Sequence, residues 1–133
     1  MTKRQPAPIA TWAGRIVSAL VVVVLLADGA VNLFAPHLLK QEMAASGFPA
    51  ELAPVLGALI VLCAAVYAWP RTAVLGAVLI TGFLGGAISL HFRLGEIGSP
   101  PQLICVTIGI LAWAGLFLRD AGVQAMMPLR RPA

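Results

Sequence analysis

The sequence predicts an all-α fold, a four-helix transmembrane bundle with both termini cytoplasmic, on three observations. Four long apolar stretches fill most of the chain; 60% of residues are hydrophobic and only 11% charged; and the breaks between stretches are short and marked by Pro, Gly or basic residues. Soluble domains carry roughly a quarter charged residues, so a water-facing surface is not covered here and lipid is the solvent for most of the chain. The 133 residues contain no polar linker, which predicts a single membrane domain over residues 12–119. The net charge of +4 comes from basic residues at the ends of apolar runs. That placement marks membrane flanks and speaks against a nucleic-acid partner.

Residues 1–11, with Lys3, Arg4, Pro6 and Pro8, read as a mobile cytoplasmic tail. The first span follows at about 12–34, with the run from Val21 to Leu26 at its centre and Pro36 beyond its end. A cleaved signal peptide shares the basic start, the apolar run and the small residues Ala27, Gly29 and Ala30. Asp28 and Asn32 count against it, because they continue one helical face past the cleavage point. The polar segment between Pro36 and Glu51 predicts a short interfacial helix over 38–46, ended by Gly47.

The second span, about 52–69, holds no charge; Pro54 suits its first turn, and Pro70 with Arg71 ends it. The third, about 72–92, runs uncharged to His91 and is followed by Arg93. Gly95, Gly98, Pro100 and Pro101 make a loop before the fourth span, about 102–118, and residues 120–133 read as a second cytoplasmic tail. With both termini inside, Lys3, Arg4, Arg15, Arg71, Arg119, Arg130 and Arg131 lie on the cytoplasmic side and only Lys40 and Arg93 outside. Trp12, Trp69 and Trp113 fall toward the cytoplasmic ends, as interfacial indoles do, with packing the other reading for Trp113. Arg119 and Asp120 read as an interfacial ion pair, and Glu42, Glu51 and Glu96 as solvated.

Two features stand out from this plan. On the third span Ala73, Ala77, Thr81, Gly85 and Ser89 recur every fourth residue, with Gly82 and Gly86 beside them. A face with so little side-chain volume predicts close helix packing within the bundle, with a homodimer interface or a lipid-tail groove as alternatives. The second feature is Asp28, an acid inside an apolar span, where an ionised carboxylate is costly and needs a partner. Asn32 lies one turn further along the same face, and His91 and Arg93 end the third span on the same side of the membrane. These four residues form the candidate site. Arg93 is expected to neutralise Asp28, and the cluster is either a pocket for a polar head group, quinone ring or proton, or a salt bridge bracing the first span against the third. Cys63 and Cys105 stand alone in apolar runs and read as packing residues, and no residues are assigned to a metal.

Several blocks together resemble the DoxX-like family of small bacterial integral membrane proteins. They are Trp12, Gly14 and Arg15; the Pro70, Arg71, Thr72 turn; the run GAVLITGFLGGA at 76–87; His91 and Arg93; and Trp113, Gly115, Leu116, Leu118, Arg119 and Asp120. The resemblance spans 12–130, and the third-span block is its most specific part. It implies a four-helix bundle in the bacterial cytoplasmic (inner) membrane. The wider DoxX group takes its name from a membrane subunit associated with quinone-linked sulfur oxidation, and other relatives are linked to oxidative-stress assemblies. A quinone is thus the cofactor the resemblance admits, and a homo-oligomer or larger membrane complex the partner class. No catalytic residue set carries over, and without paired cysteines no thiol chemistry does. The leading expectation is a small membrane subunit or binding module holding a quinone, lipid or partner helix, rather than an enzyme. A quinone-linked oxidoreductase subunit and a proton-coupled transporter are the alternatives. The transporter is disfavoured because Asp28 lies away from the midplane, where alternating access places its site.

Overall fold

A computed structural model describes residues 6–127, and among them the chain is helical with no strand. The helices are α1 (Pro8–Phe34), α2 (Lys40–Ser46), α3 (Ala53–Ala68), α4 (Ala73–Arg93), α5 (Pro100–Arg119) and α6 (Ala121–Met126), with short 3-10 turns at Pro36–Leu39 and Ala50–Leu52. Four helical segments are long and apolar enough to cross a membrane: α1, Ala50–Ala68, α4 and α5. Helices are the fitting solution, since each satisfies its own backbone hydrogen bonds where water is absent.

Prolines set the helix starts. Pro8 opens α1, four residues before Trp12, and Pro100 and Pro101 open α5, two residues before Gln102. Proline lacks the amide hydrogen that a first turn leaves unpaired, and its fixed φ suits that turn. The segment expected as a tail or loop is therefore helix at both places. Lys3, Arg4, Arg130 and Arg131 lie outside the described residues. The short helix expected over 38–46 is present as α2 with its preceding 3-10 turn, and Gly47 ends it at φ 73°.

Helix α1 packs against α3 and α5, and α4 packs against the same two, so α1 and α4 face each other across the bundle diagonal. The buried residues of α1, Gly14, Ser18, Val21, Leu25, Gly29 and Asn32, follow one another at intervals of three or four and form one stripe. Its glycines allow backbone contact at both ends. A Cβ built on Gly14 would lie 2.7 Å from the Gly115 carbonyl oxygen of α5, and one built on Gly57 of α3 would lie 2.9 Å from the Gly29 carbonyl oxygen. On α4, Gly76 meets the Tyr67 backbone of α3 just as closely. Apolar burial drives helix association weakly in lipid, so close approach of this kind is a main source of cohesion.

The small-residue stripe of α4 departs from its expected role. Ala73 and Ala77 are buried in the core, but Thr81, Gly82, Gly85, Gly86 and Ser89 are exposed, and a Cβ built on any of these three glycines would meet nothing within 4 Å. The stripe packs in its first half only. In its second half it leaves space.

Residues 120–127 are also more ordered than a tail. Asp120 accepts hydrogen bonds from the amides of Gly122 at 2.7 Å and Val123 at 3.3 Å, capping α6, which buries Val123 in the core. This use of the Asp120 carboxylate replaces the ion pair expected with Arg119, whose guanidinium instead stands 6.0 Å from the centre of the Tyr67 ring.

Candidate binding cavity

The space left by Gly82 and Gly86 belongs to a cavity of about 600 Å³. Helix α1 contributes Asp28 and Asn32 to its wall, α3 contributes Leu56 and Leu59, and α4 contributes Phe83, Leu90 and His91 besides the two glycines. Helix α2, with Glu42, Met43 and Ser46, and Leu39 at the end of the 3-10 turn before it cover one end, residues spaced so that they share one helical face. Glu96, from the loop after α4, completes the polar side.

Three of the four candidate site residues meet here and one does not. Asp28, Asn32 and His91 line the cavity, whereas Arg93 is exposed and contributes nothing to it. The expected bridge from Arg93 to Asp28 is absent. Among the described residues the one acid–base contact within salt-bridge distance joins His91 Nδ1 to Glu96 Oε2 at 2.7 Å, an ion pair when the imidazole is protonated. The diagonal placement of α1 and α4 accounts for this difference: the main packing partners of both are α3 and α5, and His91 at the end of α4 finds its partner in its own following loop. No ion pair joins the first and third spans among the described residues, and Glu96, exposed as expected, is half of the His91 pair.

Asp28 is not enclosed by protein side chains; it is exposed at the cavity wall. Its neighbour is Asn32, whose side-chain amide donates to the Asp28 carbonyl oxygen at 2.9 Å and lies 3.4 Å from its carboxylate Oδ1. Asn32 itself is buried, being wedged where Gly57 brings α3 close. The loop after α4 is fixed at both ends, by the His91 and Glu96 pair and by Gln102 Oε1, which accepts from the Gly98 amide at 2.7 Å.

Glu42 and Glu96 are the ionisable cavity residues absent from the candidate site expected from the sequence. A signal for Glu42 exists, since Leu39, Glu42, Met43 and Ser46 stand at i, i+3, i+4 and i+7, the pattern of a helix with one face turned to the protein. For Glu96 there is none, because its contact depends on how the loop turns back on His91. Among the described residues no three of His, Cys, Asp and Glu converge as a metal-binding group. Cys63 and Cys105 are free thiols.

A second, almost wholly apolar groove of about 590 Å³ runs between α4 and α5, along Thr81, Gly85, Cys105, Gly109 and Trp113. It takes up the other side of the open stripe. The Trp113 indole donates to Thr81 Oγ1 at 2.8 Å across it, so this tryptophan ties two helices together.

Four apolar membrane-spanning helices around a polar-ended cavity define a small multi-pass membrane protein. The model of the DoxX-like family matches residues 16–115, three-quarters of the chain, and the chain belongs to that family. Neither a curated protein nor a solved structure matches it.

Proposed function

We propose that this DoxX-like protein is a binding module of the bacterial cytoplasmic membrane that holds an amphiphilic small molecule. The observation that carries this reading is the cavity itself, whose about 600 Å³ falls within the range of about 300–1,000 Å³ usual for small-molecule sites. Its two sides differ in character. Leu56, Leu59, Phe83 and Leu90 offer an apolar wall, and Asp28, Asn32, Glu42 and His91 offer polar atoms near one end. A tail would lie along the first and a head group against the second.

The basic residues support an orientation. Arg15, Arg71 and Arg119 lie toward the end of the bundle where α1 begins, which the positive-inside rule places in the cytoplasm. The cavity lies toward the other end, so its head-group side faces the outer leaflet. With α2 laid across that end, a free molecule fits this space better than a partner helix.

Native mass spectrometry of the gently solubilised protein tests the proposal. The wild type is expected to retain one amphiphile per chain, and Gly86→Phe to lose it by filling the space, without a backbone clash because nothing lies within 4 Å of its Cβ position. A wild type that carries no ligand and takes up no added amphiphile overturns the reading.

A further inference from the structure

We propose that the head group taken by this cavity is cationic, an ammonium carried on an apolar tail, an inference that rests on the amphiphile reading above. The cavity wall contains three carboxylates, Asp28, Glu42 and Glu96, one histidine, and neither lysine nor arginine. The His91 and Glu96 pair accounts for one carboxylate at most, leaving those of Asp28 and Glu42 without a cation among the described residues. Asp28 and Glu42 are exposed at the wall of a largely apolar space, and a carboxylate beside such a surface is favoured by a positive charge next to it. A bound cation supplies that charge.

The hydrogen-bond inventory points the same way. Ionised carboxylates only accept, and an ammonium only donates, with three N–H groups. A quinone ring or an acidic head group presents oxygen acceptors and needs donors from the wall. The Asn32 amide already donates to the Asp28 carbonyl, and His91 Nδ1 is engaged with Glu96. Acceptors therefore dominate the polar side, and repulsion between them and a quinone carbonyl or a carboxylate ligand disfavours both. A bare metal ion is a poor match as well, because the ligand set does not converge and much of the wall is apolar.

The test compares three probes of equal tail length, n-octylammonium, n-octanol and n-octanoate, by equilibrium dialysis against the full chain in a neutral detergent. The Gly86→Phe variant serves as the blank for micelle uptake. Octylammonium is expected to bind about tenfold more tightly than octanol, with octanoate weakest, as a charge contact at a partly desolvated site gives. Glu42→Gln and Asp28→Asn are each expected to narrow the gap between ammonium and alcohol; Glu42 is exposed on α2, so its variant keeps the fold. Octanol binding as tightly as octylammonium, or a gap unchanged in both variants, overturns the cationic assignment while the amphiphile reading stands. Failure of all three probes to exceed the blank overturns both.

Discussion

The Tyr67 hydroxyl donates to the Ala112 carbonyl at 2.8 Å, linking α3 to α5 through the middle of the bundle, and the Ser18 hydroxyl of α1 stands 3.0 Å away. Three helices thus share one fully buried phenol. Tyr67→Phe keeps the ring and its packing and removes only these hydrogen bonds. It is expected to cost about 0.5–1.5 kcal/mol, because membrane-protein hydrogen bonds are worth little more than those in water. Thermal unfolding in detergent measures it, and a loss well above that range would mean that Ser18 and Ala112 find no substitute partners.

Glycine positions separate packing from void. Gly115→Ala puts a methyl 2.5 Å from Ser18 Oγ and 3.1 Å from the Ser18 backbone nitrogen, so α1 and α5 must part. A loss of about 1–3 kcal/mol is expected. Gly82→Ala meets nothing and removes a flexible residue from a helix interior, so a gain of up to about 1 kcal/mol is expected. Melting temperatures of the two variants should move in opposite directions. A drop for both would place a contact at Gly82 that the single chain does not make.

The same comparison shows what the sequence reveals. Four apolar runs bounded by prolines and charges identify four membrane helices, because length and hydropathy are local properties. The α4 stripe is equally visible, yet a period of small residues records only missing volume. Whether a helix or a cavity takes up that volume depends on the neighbours, and Ala77 and Gly82 differ on this point although they share the pattern. The candidate site followed similarly: Asp28, Asn32 and His91 lie toward the same end of the bundle and share a cavity, whereas Arg93, at that end too, is not part of its wall. Depth follows from counting residues. Azimuth requires knowing that α1 and α4 are diagonal.

Charge pairing can be checked directly. A double-mutant cycle on His91→Ala and Glu96→Gln is expected to show a coupling of about 0.2–1 kcal/mol, modest because Glu96 is 47% exposed. The cycle on Asp28→Asn and Arg93→Gln is expected to be additive, since these residues share no contact. Both are read from unfolding in detergent. Coupling between Asp28 and Arg93 would contradict the geometry of the α4 end.

Asp120 makes the last described helix dependent on one carboxylate. Helix α6 has only six residues, too few to hold together alone, and its first-turn amides on Gly122 and Val123 are satisfied by Asp120 Oδ1. Its remaining anchor is Val123, 1% exposed and seated in the core. Asp120→Ala removes the cap at a cost of about 1 kcal/mol, while Asp120→Asn keeps an acceptor at the same place and restores most of it. Because the loss falls on the least supported helix, it should appear as local opening before global unfolding. Hydrogen exchange is expected to speed up across 121–127 in Asp120→Ala with the α1 and α3 amides unchanged. Uniform acceleration throughout the bundle would instead mean that α6 unfolds only together with the four spans.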